Sequence, residues 1–79
     1  LEGKRGKDYK TLLQEYVQRD GDKHIVYRLL SESGPDHAKT FHMVVEINGV
    51  TYEAGSGKSK KIAEQHAAQL TLEKLMADK

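Results

Sequence analysis

Seventy-nine residues with no cysteine and a formal net charge of +1 describe one small domain without disulfide staples or a cysteine-based zinc site. No apolar run is long enough to span a bilayer and no signal peptide is visible, so no membrane partner is expected. The near-neutral total hides an uneven distribution, because lysine and arginine gather at Lys4 to Lys10 and at Lys58 to Lys61 while the acids are spread elsewhere. Such a patch on a near-neutral domain points to a placed anion site rather than an unspecific polycation.

The chain does not begin with Met. Leu1-Glu2 reads as an expression scar and Gly3-Lys4-Arg5-Gly6 as a loose basic lead-in, so residues 1–6 are expected to be a linker and residues 7–76 the domain, cut from a larger protein. Asp8 is placed to cap a helix that runs to about Asp20, where Gly21 stops it. Tyr9, Leu12, Leu13, Tyr16 and Val17 fall at i, i+3, i+4, i+7 and i+8, a stripe that should face the core. Thr11, Gln14, Glu15 and Gln18 share the same spacing on another face. That face is either simply solvated or a hydrogen-bonding surface, since glutamine, like a ribose 2′-OH, can donate and accept at once.

His24 to Ser33 is rich in β-branched and aromatic residues and reads as a strand. Gly34-Pro35-Asp36 is turn chemistry, and it leaves His37 at the tip of an exposed loop of open geometry. Phe41 to Ile47 alternates as a second strand, Asn48-Gly49 is a two-residue hairpin signal, and Val50 to about Ala54 makes a third strand.

Gly55-Ser56-Gly57-Lys58-Ser59-Lys60-Lys61 then opens as a flexible glycine pair and runs into a helix from Ser59 to about Met76. Ser59 is suited to cap it. Lys60 and Lys61 fall in its first turn, where the helix already carries about half a positive charge and ammonium groups are unfavourable. No acid lies between Glu53 and Glu64. Free N–H groups, a positive dipole end and three lysines suit a polyanion such as phosphate; the alternative is a solvated helix start. A nucleotide P-loop is excluded, because Tyr52 stands where its first glycine belongs. Further along, Ala63, Ala67, Ala68, Leu70, Thr71, Leu72 and Leu75 make a broad packing face whose small residues allow close approach to the sheet. The order of elements is α-β-β-β-α. This predicts an α+β fold, a three-stranded antiparallel sheet with both helices packed on one face. His24, His37, His42 and His66 show no metal-ligand spacing, and no catalytic constellation stands out.

Thr11-Leu12-Leu13-Gln14-Glu15, Gly34-Pro35-Asp36-His37, Phe41 and Gly55 to Glu64, in this order and on these elements, resemble the double-stranded RNA-binding domain, most of all that of bacterial ribonuclease III. The resemblance covers about Lys7 to Leu75. It implies a three-part grip on A-form duplex: Thr11, Gln14, Glu15 and Gln18 in one minor groove, His37 in the next, and Lys58, Lys60 and Lys61 on phosphates across the major groove between them. Recognition of this kind rests on shape, 2′-OH and phosphates over roughly 16 base pairs. Glu64 stands where some members carry a basic residue and is left out of the site. The resemblance further implies a monomeric segment that binds and does not cut, in a cytoplasmic RNA-processing (including rRNA-processing) enzyme. The nuclease domain would be its partner in the parent chain and would hold Mg2+. The segment itself would need no cofactor. The rival readings are a protein-protein interaction module on the same fold and a DNA-binding domain.

Overall fold

The computed structural model describes residues 8–19, 21 and 23–78; the lead-in of residues 1–6 and the expected helix end at Asp20 lie outside them. Helix α1 spans Tyr9–Gln18, strand β1 Ile25–Ser33, β2 Thr40–Ile47, β3 Val50–Thr51, β4 Gly55–Gly57, and helix α2 Lys60–Ala77. A single 3-10 turn, Asp36–Ala38, joins β1 to β2. Asp8 caps α1 as its spacing predicts, accepting from the Thr11 N–H. Gly21 follows the helix at φ +113°, a conformation that side chains resist. Asn48 and Gly49 both take positive φ, which makes the tight turn between β2 and β3.

β2 is the central strand. It pairs along its length with β1, from Ile25 opposite Ile47 to Ser33 opposite Thr40, and the register shifts between Leu29 and Ser31. That bulge turns Leu30 into solvent. β3 and β4 both pair with β2, the first at Glu46 and Ile47, the second at Phe41 to Met43. The expected third strand is therefore corrected to two short pieces. The register shifts by one residue between them, and the break falls across Tyr52, Glu53 and Ala54. The Gly-Ser-Gly expected as a flexible lead-in is the second piece.

Leu13, Val17, Met43, Val45, Ile47, Ala63, Ala67 and Ala68 form the core between the sheet and the two helices. Tyr9, Tyr27, Phe41, Leu72 and Leu75 close its rim. Alternate β2 residues carry the opposite, outer face: there Arg28 pairs with Glu46, which also accepts from Thr51, and Ser33 meets His42. Three positions depart from the expected packing faces of the two helices. Leu12 is 39% exposed and borders an open groove with Tyr16, Leu72 and Met76, and neither Leu12 nor Tyr16 belongs to the core cluster. Leu70 also lies outside that cluster, because α2 turns Ala67 and Thr71 inward and leaves Leu70 on its flank. Among the described residues no helix is long and apolar enough to cross a membrane.

Candidate nucleic-acid interface

The start of α2 is built by close backbone contact. A Cβ on Gly55 would fall on the Ala67 backbone, 2.6 Å from its Cα, and one on Gly57 would lie 2.8 Å from the Ala63 nitrogen. Only glycine lets β4 rest on the helix at this depth. The chain then has two residues, Lys58 and Ser59, in which to leave the sheet and enter the helix. Ser59 caps it: the hydroxyl oxygen accepts from the Ile62 N–H at 3.1 Å and the carbonyl from the Ala63 N–H at 2.9 Å. Lys58, Lys60 and Lys61 are all exposed, and the first turn holds no acid. Among the described residues none of the three pairs with a carboxylate. Three ammonium groups thus stand around a positive dipole end on a rigid mount, which is an arrangement for holding phosphate.

α1 is tied to this mount. The Gln65 side chain accepts from the Tyr9 N–H at 2.7 Å and donates to Asp8 at 2.8 Å. Lys10 reaches Glu64 at 2.6 Å while its ammonium sits 4.7 Å over the Tyr27 ring. Two consecutive residues of α2 therefore hold the first turn of α1 in place. Hydrogen bonds from Gln65 and then Thr11 hold the Asp8 carboxyl below its usual range. Burial, with Glu64 and Asp8 adding to it, pushes the Tyr27 hydroxyl up to about 12. Removing the Gln65 amide leaves the Tyr9 N–H without its acceptor. Gln65→Ala should cost about 1–2 kcal/mol in denaturant unfolding, whereas a cost below ~0.3 kcal/mol would mean the clamp is replaced freely by water.

Thr11, Gln14 and Glu15 are exposed on α1. The Thr11 hydroxyl donates to Asp8 at 2.8 Å, which leaves its oxygen free to accept. Gln14 borders a polar recess with Lys10, Gln18, Lys23 and His24, and Glu15 borders the groove with Leu12 and Met76. Gln18 is more committed: its amide donates to the Lys23 carbonyl at 3.0 Å and accepts from the Lys23 N–H at 3.2 Å, closing the link from α1 to β1. His37 sits exposed in the 3-10 turn, and shares a shallow recess with Asp36, Lys39, Phe41 and Lys58. The turn is fixed by Gly34, whose φ is +89° and whose Cβ would lie 2.7 Å from the Ala38 carbonyl oxygen. The surface consequently has an order. The lysines stand in the middle, the His37 turn adjoins Lys58 on one side, and α1 is bonded to the second turn of α2 on the other.

Known proteins share this fold. The sequence pattern of the family described as "Double-stranded RNA binding motif" matches residues 9–75. The chain belongs to that family. The motif is 57% identical over 68 residues to ribonuclease 3 of Streptococcus mutans, covering 86% of this chain and 29% of that protein. It is 52% identical over 71 residues to ribonuclease 3 of Streptococcus pyogenes serotype M3, covering 90% of this chain and 31% of the relative. The chain thus spans under a third of these relatives' length. Among solved structures, the second dsRBD of DRB4 matches with TM-score 0.61 and 37% identity, covering 86% of this chain and 94% of that one. The structure of both DRB4 dsRBDs with their linker matches with TM-score 0.66 and 35% identity, over 95% and 50% of the two chains.

The double-stranded RNA binding motif contains working residues that the sequence did not announce. Lys10, Glu64 and Gln65 set the relation of its two helices, yet the partners lie 54 and 56 residues apart and no local spacing marks them. The one signal in the sequence is Glu64, an acid where some members carry a basic residue, and the structure pairs it with Lys10.

Proposed function

We propose that this domain binds double-stranded RNA through A-form shape, 2′-OH groups and phosphates, as the substrate-binding module of a ribonuclease III. Lys58, Lys60 and Lys61 hold phosphates across the major groove. Thr11, Gln14, Glu15 and Gln18 face one minor groove and His37 the next. The A-form major groove is too deep and narrow for side chains to read, so a grip of this kind is little concerned with base sequence. The observation that carries the reading is the ordered surface itself: three exposed lysines on a rigid helix start, flanked by an exposed histidine turn and by a helix clamped to the same mount. The ribonuclease 3 relatives support the choice of parent. Cleavage would then belong to a metal-dependent nuclease domain elsewhere in the cytoplasmic parent chain, with Mg2+ held there, and the present segment would act as a monomer.

Single variants separate the roles. Lys61→Ala should flatten the log–log dependence of affinity on salt by about one unit, since one fewer phosphate is neutralised. Gln14→Ala should weaken duplex RNA binding and leave the slope unchanged. An unaltered slope in the first variant removes Lys61 from the backbone contact, and an unaltered affinity in the second removes α1 from the interface.

A further inference from the structure

Among the described residues β4 pairs with β2 alone, and the Ser56 N–H, which points away from β2, needs another acceptor. It finds one in α2: His66 Nδ1 lies 3.0 Å away and accepts that proton. The bond joins the middle of a three-residue strand to the helix, two residues before Lys58. A neutral imidazole accepts at one nitrogen only, and an imidazolium donates at both. The bond therefore requires a ring without a proton on Nδ1. A protonated ring would turn an N–H toward the Ser56 N–H, and the contact would be lost.

We propose that His66 is a positioning residue for RNA binding, whose neutral ring anchors β4 and with it Lys58, so that proton uptake by the ring weakens the grip on duplex RNA. This rests on the RNA-binding reading above. Few other charges bear on the ring. On α2 the positions one turn away are Ile62, Ala63, Gln69 and Leu70, none of them charged. β4 is Gly55-Ser56-Gly57, and the nearest charge along it is Lys58. His42, opposite Ser56 on β2, belongs to the outer face, where it meets Ser33. Glu64 and Gln65 turn the other way, to α1. Protonation of His37 or His42 would also alter affinity, so the test must isolate His66.

His66→Asn does this, because its Oδ1 stands where Nδ1 stood and accepts at every pH. His66→Leu removes the acceptor. Affinity for a duplex RNA of about 20 base pairs, long enough for the roughly 16 such a domain covers, is measured for the parent protein and both variants from pH 8 to 5.5. Thermal melts run alongside. At pH 8 the parent and His66→Asn should agree within about twofold, and His66→Leu should bind about fivefold more weakly, the worth of one phosphate contact near 0.15 M salt. On acidification the parent should fall relative to His66→Asn toward the His66→Leu level. Parallel profiles for the parent and His66→Asn would overturn the proposal, and that comparison decides even if His66→Leu does not fold. Parent-like binding by a folded His66→Leu would overturn it too. Absence of binding by the parent at pH 8 would instead overturn the RNA-binding function, and this role with it.

Discussion

Gly55→Ala should unfold the domain at temperatures where the parent protein is intact. The added Cβ would land on the Ala67 backbone, and no rotamer change can relieve contact with backbone atoms. Either β4 leaves α2 or α2 shifts on the sheet. Both routes expose Ala63, Ala67 and Ala68, which have no solvent exposure in the fold. The cost should reach or pass the upper end of overpacking penalties, about 3 kcal/mol. A domain of this size has roughly 4–12 kcal/mol in all, and each kcal/mol shifts the midpoint by about 4–8 °C. The melting temperature should fall by at least ~12 °C. Gly21→Ala is the control, because that glycine has positive φ and open space around it; the variant tests conformation without crowding and should lose only about 1–2 kcal/mol. Similar melting curves for Gly55→Ala and the parent would show that β4 does not rest on α2.

The second large effect acts on binding and runs opposite to stability. Replacing Lys58, Lys60 and Lys61 together by alanine should lower affinity for duplex RNA about 100-fold near 0.15 M salt. This follows from roughly 0.9 counterions per phosphate, about fivefold for each lost contact. The salt slope should flatten by about 2.7 units. The same variant should melt no lower than the parent, and slightly higher, since it removes ammonium groups from a positive dipole end and adds the best helix former. Loss of affinity with a raised melting temperature identifies residues kept for binding at a cost in stability, and with an equal one residues that serve binding alone. Loss of affinity together with a large fall in melting temperature would instead mark the lysines as structural.

Much of this was legible in the chain. Asp8 and Ser59 announce both helix caps, Asn48-Gly49 the hairpin, and Leu13 and Val17 the buried stripe, because each is a local effect of backbone geometry or period. The lysines were legible for the same reason: their clash with the dipole is visible over four residues. Leu12 misled because the stripe rule assumes a helix covered on a wide arc, whereas a groove stays open between α1 and α2. Gly55-Ser56-Gly57 misled because glycine is a poor strand former in isolation. Here its value is the absence of a Cβ where helix and strand backbones meet, which only the tertiary fold reveals. The clamp of Gln65 on Asp8 and Tyr9, and the bond from Ser56 to His66, are likewise products of packing between distant segments.

The most direct test of the central claim is a titration of one labelled duplex of about 20 base pairs, prepared as RNA and as DNA, at two salt concentrations. It asks whether this surface recognises the A-form helix with its 2′-hydroxyls rather than negative charge alone. Strong preference for RNA at both concentrations, with affinity falling as salt rises, is the result predicted here. Equal binding to RNA and DNA would reduce the site to an unspecific lysine patch and contradict the account.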